Sequence, residues 1–97
     1  MNATSSYRTR HERPAADPVA IGLQALAWIA SDPERIGRML TLTGLNPTDL
    51  RARAAEPAVL AAALGFLEGH EPDLVACADA IGAEPATLVS AREALGA

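Results

Sequence analysis

The stretch AVLAAALGFL, residues 58–67, is apolar at every position. A second stretch, PVAIGLQALAWIA at residues 18–30, is interrupted only by Gln24. Both are too short for a bilayer span, which needs about 20 residues, so we interpret them as buried helices. A helix that is apolar on every side must be covered on every side. We therefore expect the two to pack together at the centre of the fold, or one open side to form a dimer interface.

The composition favours helices along the whole chain. The 97 residues include one Phe, one Trp and one Tyr, and 49% of them are apolar. The dominant residues, Ala and Leu, have high helix propensity, and the few β-branched and aromatic residues argue against a β-sandwich or barrel. Such a chain is too apolar to be disordered throughout and long enough for one small domain. We predict an all-α fold, a compact bundle of about six short helices.

Six prolines, each preceded by Asp, Glu or Asn, indicate where these helices begin. Proline suits the first helical position, and the residue before it can bind free backbone N–H groups or favour the helix dipole. Glycines that can adopt a positive φ follow four of the helices: Gly44, Gly69, Gly82 and Gly96. The predicted helices are residues 18–30, 33–43, 47–55, 57–68, 72–81 and 85–95.

The prolines and glycines also suggest an internal repeat. A shift of 38–39 residues places Pro18 on Pro57 and aligns the later helix starts of the two halves. We therefore consider a duplicated three-helix unit, residues 17–55 and 56–95, with chance spacing as the alternative. Duplication predicts that the two trios have a similar arrangement, related by a pseudo-twofold axis.

Residues that commonly build catalytic or metal sites are scattered. His11 lies near the N-terminus and His70 in a predicted turn. Cys77, the single cysteine, excludes an intramolecular disulfide, and its helical spacing from Leu74 and Ile81 indicates a small core residue. The sequence contains no Gly-rich phosphate loop and no calcium-binding loop. We predict a protein that is not an enzyme and has no catalytic site, metal site or cofactor.

The two ends of the chain differ in character. Residues 1–16 are predicted to be a disordered basic arm, and residues 17–97 a single helical domain. Residues 1–13 lack the apolar run of a secretory signal, and a lone thiol fits a reducing compartment. We expect a cytoplasmic protein with no membrane contact.

The candidate partner-binding residues are Trp28, Arg35, Arg38, Arg51 and Arg53. The four arginines could form one surface for an acidic protein partner, although ordinary pairing of Asp32 with Arg35 and of Asp49 with Arg53 is the simpler explanation for each. The apolar face from Ile21 to Trp28 is the other candidate contact surface and suits a homodimer. We predict an interaction or regulatory module whose pathway and partner the sequence does not name.

The alternative function is nucleic-acid binding through a helix-turn-helix. The turn at Gly44 has suitable spacing, the turn at Gly82 has closer spacing, and the basic arm and Arg cluster could contact phosphates. However, residues 56–97 contain Arg92 against seven acidic residues, a net charge of −6, which would repel a duplex. The spacing also arises wherever three short helices pack, so we expect no nucleic-acid partner.

Three short segments are distinctive: Ser31-Asp32-Pro33-Glu34-Arg35, Thr43-Gly44-Leu45 followed by Leu50-Arg51, and Glu71-Pro72. With them, the run from residue 18 to residue 96 resembles a small alphaproteobacterial family, domain of unknown function 3572. The resemblance implies a small helical bacterial protein. It implies no activity, and it transfers no functional residue to this chain.

Overall fold

The computed structural model describes residues 17–96, which form helices and no strand. In chain order the helices are α1 (Pro18–Ala30), α2 (Pro33–Thr43), α3 (Pro47–Arg53), α4 (Pro57–Glu68), α5 (Glu71–Ile81) and α6 (Pro85–Gly96). The predicted all-α bundle is confirmed. The predicted basic arm, residues 1–16, lies outside the described residues.

The first three helices begin as their sequences predict. The side chain of the residue before each proline accepts a hydrogen bond from a backbone N–H in the first turn, at 2.8–3.0 Å: Asp17 from Val19, Asp32 from Glu34 and Asn46 from Asp49. Glu56, before α4, makes no such bond. The longer Glu side chain is a poor cap, and the start of α4 therefore depends on Pro57 and on burial.

Three of the four glycines follow the last residue of a helix, as predicted: Gly44, Gly69 and Gly82. Gly44 and Gly82 adopt φ values of +78° and +73°, where a side chain would be strained. Gly69 ends α4 without a positive φ: it keeps a right-handed φ of −76°, and its N–H donates to carbonyls of the last turn of α4. The prediction is wrong for Gly96, which is the last residue of α6 rather than the residue after it.

The core is centred on α4. Four α4 side chains are completely buried: Leu60, Ala63, Leu64 and Leu67. Helix α1 packs directly on α4, and a Cβ added at Gly22 would lie only 2.9 Å from the Cβ of Leu60. The predicted central pairing of the two apolar helices is therefore confirmed, with α6 as a third member of the same core.

Helix α1 is not covered on every side. Val19 and Leu23 are 36% and 40% exposed, whereas Ile21 and Ala25 are buried. The face from Ile21 to Trp28, which the sequence suggested as a contact surface, is thus largely closed. It is closed because this face packs into the bundle, and the exposed side of α1 is the opposite one.

The two trios share the packing of their first two helices but differ in the third, so the expected common arrangement of all three helices is wrong. Helices α4 and α6 form the most extensive helix–helix contact, whereas their counterparts α1 and α3 are scarcely in contact. The reason is that α3 has seven residues, a single large apolar side chain, Leu50, and no buried residue. Helix α1 packs against the C-terminal trio instead.

Candidate functional site

A groove of about 390 Å³ lies between α2 and α4. Its apolar part is formed by Leu42, Ala62, Gly65 and Phe66, and its rim carries Arg38 and His70. We refer to these six residues as the α2/α4 groove. Leu42 is 74% exposed, more than any other large apolar side chain in the described range. The groove therefore combines an open apolar surface with positively charged or titratable side chains.

Helical periodicity positions the groove residues. On α2, Arg38 and Leu42 are four residues apart and share a face, while Met39 turns into the core and is completely buried. On α4, Ala62 and Phe66 are also four residues apart, and the opposite face carries the buried leucines. Ala62 and Gly65, which have little or no side chain, line the α4 wall of the depression between the two helices.

One carboxylate from α5 contacts both rim residues. Asp73 Oδ2 lies 3.3 Å from Arg38 Nη2 and 3.4 Å from His70 Nδ1. The guanidinium of Arg38 also lies 5.7 Å from the centre of the Phe66 ring, within the range of a cation–π contact. The Arg38 side chain is still 49% exposed, so it is available to a further acceptor.

Trp28 and Arg35 come together at the junction of α1 and α2. The Arg35 guanidinium lies 3.6 Å from the centre of the Trp28 ring, and Nη1 donates to the Trp28 carbonyl at 2.7 Å. Asp32 Oδ2 lies 3.6 Å from Arg35 Nη2, which confirms the predicted pair. The Arg35 side chain is only 16% exposed. These contacts fix the angle between the helices, and neither residue lines the groove.

The other two arginines lie on α3. Arg53 Nε donates to Glu56 Oε1 at 3.0 Å across the turn into α4, so the expected pairing with Asp49 is wrong. Arg51 is exposed on the same helix. The candidate cluster is therefore divided among local contacts, and Arg38 is the one member at the groove.

Cys77 is completely buried on α5, as its spacing predicts. Burial raises the pKa of its thiol to about 11, with a smaller lowering by the charge of Arg35 and a smaller raising by Asp73. The thiol is therefore neutral near pH 7 and inaccessible to a substrate. Within residues 17–96, no group of three or more His, Cys, Asp or Glu side chains is arranged to hold a metal ion.

The groove was not predicted from the sequence, although one signal was present. The apolar stripe of α2 is formed by Ile36, Met39 and Leu40, and Leu42 lies off that stripe. The contact between Arg38 and Asp73 joins residues 35 positions apart, and no local pattern indicates it.

The predicted resemblance to a helix-turn-helix has some geometric support. Helices α5 and α6 cross at 99° and are joined by a short turn that begins at Gly82. The charges are unfavourable, because Asp79 and Glu84 flank this turn and Arg92 pairs with Glu68. The turn between α5 and α6 therefore has the angle of a helix-turn-helix but lacks the positive charge that binds phosphates.

The model of a family described as "Protein of unknown function (DUF3572)" matches residues 15–97. No curated protein and no solved structure has significant similarity to the chain. In the part of the chain that the structure covers, no single helix has both the length and the apolar character needed to cross a membrane.

Proposed function

This chain belongs to the DUF3572 family, and we propose that it is a non-enzymatic interaction module that holds a segment of a partner protein in the α2/α4 groove. The exposure of Leu42 carries the proposal. A leucine that is 74% exposed leaves most of its apolar surface in water, and covering it is favourable by about 25 cal/mol per Å². Next to Phe66 and Arg38 it forms a mixed apolar and cationic surface of the kind that anchors protein partners.

The open shape of the groove favours a protein segment over a small molecule. Its volume falls within the range of ligand sites, roughly 300–1,000 Å³, but such sites enclose most of their ligand, whereas this groove is open to solvent. Its walls are two helices, which is the geometry that accepts the apolar side chains of a third helix. One or two anchoring side chains would fill it.

Two observations support a non-enzymatic role in a reducing compartment. The only cysteine is a buried free thiol with a raised pKa, unsuited to nucleophilic chemistry. The only histidine in the described range, His70, contacts Asp73 at the groove rim, and the one hydroxyl group that lines the groove, that of Thr43, donates to the Met39 carbonyl. We also propose a cytoplasmic location, with which the single free thiol is compatible.

The second candidate function is nucleic-acid binding, favoured by the 99° crossing of α5 and α6. The net charge of the second half opposes it. We expect no mobility shift of duplex DNA by the full chain at low salt. A shift that weakens steeply as salt increases would favour this second candidate over the groove.

Site-specific photo-cross-linking tests the proposal. A photoreactive amino acid is placed at position 42 or, as a matched control, at Ala86, which is exposed on α6. In the source cell we expect a discrete adduct from position 42 that is absent from the control. An adduct with a second copy of this chain would identify a homodimer as the occupant. Equal labelling from both positions, or none from position 42, would contradict the proposal.

A further inference from the structure

We propose, resting on the proposed function, that the occupant of the α2/α4 groove is an acidic amphipathic helix. Its carboxylate binds Arg38 and its apolar side chain covers Leu42 and Phe66. Three features of the groove favour this occupant: the charged side chains around it, the incomplete pairing of Arg38 and the spacing of the two anchors.

The lining of the groove includes the cationic side chain of Arg38, whereas most of the chain is acidic. The chain has a net charge of −4, and its second half is more acidic still. Among the described residues that line the groove, the charged or titratable ones are Arg38 and His70, and none is acidic. A partner with carboxylates would be attracted to this groove and repelled by the acidic surfaces elsewhere, which gives specificity as well as affinity.

Arg38 is incompletely paired. Its contact with Asp73 uses one terminal nitrogen at 3.3 Å, at the long end of hydrogen-bond distances, and half of the side chain is exposed. A guanidinium has five N–H donors and binds a carboxylate best through two parallel bonds. Asp73 is also shared with His70, so it is not dedicated to Arg38. A carboxylate of the partner can therefore replace Asp73 or bind beside it.

The spacing of the anchors sets the pattern of the partner. Arg38 and Leu42 are separated by about 6 Å along α2, at 1.5 Å per residue. The matching carboxylate and apolar side chain on a docked helix are therefore about one turn apart, at positions i and i+3 or i+4. A small groove of this kind accepts Leu, Met or Phe as the anchor.

Selection of displayed random peptides on the full chain tests this inference. We expect the selected peptides to have Asp or Glu three or four positions from a large apolar residue. Synthetic versions should bind about tenfold or more weakly to Arg38→Ala than to the wild-type chain, as loss of a charge-assisted bond predicts. Arg53→Ala is the matched control, since Arg53 has similar exposure (45%) and an acidic neighbour but lies outside the groove. Its affinity should be unchanged.

Two further variants separate the inference from the proposed function. Asp73→Asn removes the competing carboxylate and should tighten binding of the acidic peptides several-fold. Unchanged or weaker binding to this variant would overturn the inference that a carboxylate of the partner takes the place of Asp73 at Arg38. Leu42→Ser should abolish binding but leave the protein folded, because Leu42 is exposed. Peptides that depend on Leu42 but contain no acidic residue would overturn the acidic partner and leave the proposed function standing. If no selected peptide depends on Leu42, the proposed function itself is wrong.

Discussion

The trio α1–α3 and the trio α4–α6 have matching prolines and glycines but differ in packing. Leu50 on α3 is half-buried, whereas Leu88, its counterpart on α6 after a shift of 38 residues, is completely buried. Helix α6 covers α4, whereas α3 hardly contacts α1. The comparison shows that capping residues set where helices begin and end, while the apolar content of each helix determines what it packs against.

The candidate site lies where the two trios meet. Because α3 does not cover α1, α1 packs against α4 and α6. Helix α2 follows α1 and lies against α4 of the other trio, and the groove runs along that junction. The counterpart of this contact under the repeat, between α5 and α1, is also present. The groove is therefore distinguished by the side chains along the junction, chiefly the exposed Leu42, and not by a departure from the repeat in how these helices pair.

The largest expected effect is at the two leucines that the repeat aligns, Leu50 and Leu88. Leu88→Ala should lower the free energy of unfolding by about 2–5 kcal/mol, because it leaves a cavity in the core. Leu50→Ala should cost about 1 kcal/mol or less, because half-exposed side chains lose little buried area. Urea unfolding of both variants measures the difference. Equal losses would show that the two trios are energetically equivalent.

The next effect concerns the glycine that lets α1 approach α4. Gly22→Ala should destabilise the fold by about 1–3 kcal/mol, because the new Cβ would meet Leu60 at 2.9 Å. Its repeat counterpart, Ala61, tolerates a side chain at the equivalent position. Gly37→Ala on exposed α2 is the control, and it should stabilise the protein by about 0.5–1 kcal/mol since no atom lies within 4 Å. A stabilising Gly22→Ala would contradict the close approach.

Most of the fold was predictable from local signals, and most of the site was not. Asp17, Asp32 and Asn46 cap their helices through contacts within three residues, so the sequence reveals them directly. Helix partners depend on contacts between distant residues, and for that reason the repeat suggested a symmetry that the packing lacks. Trp28 and Arg35 were predicted as partner-binding residues, but in the structure they contact each other, and Arg35 is mostly buried. Predicting the groove would have required knowledge of how α2 packs against α4.

The next effect is a pH dependence of stability that arises from Cys77 but not from Met39. Both residues are completely buried, and the same 38-residue shift aligns them. The pKa of the Cys77 thiol rises from 9.0 to about 11 on folding. The folded state therefore keeps a proton that the unfolded state loses above pH 9. The stability that this group contributes is complete below pH 9, and about 2 kcal/mol of it is lost by pH 11.

Comparison with Cys77→Ala isolates this contribution, because the other titrating groups are common to both proteins. The wild-type free energy of unfolding should fall more steeply than that of the variant between pH 9 and pH 11. Parallel curves would show that the thiol is not shielded from water in the folded state. Met39 on α2 has no titrating group, so it contributes nothing to the fall in the free energy of unfolding between pH 9 and pH 11.

The smallest effect is expected at the ion pairs. Arg92 on α6 pairs with Glu68 on α4, and both side chains are about one-third exposed or less. Arg53 and Glu56 form a local pair that is about half exposed. Double-mutant cycles with Arg→Met and Glu→Gln should give a coupling energy of about 0.5–1 kcal/mol for the first pair and less than about 0.3 kcal/mol for the second. Added salt should weaken the second pair more, because water and ions reach it freely. Equal coupling energies would mean that the Arg92–Glu68 pair gains nothing from linking α6 to α4. The tighter packing of the C-terminal trio would then derive from apolar contacts alone.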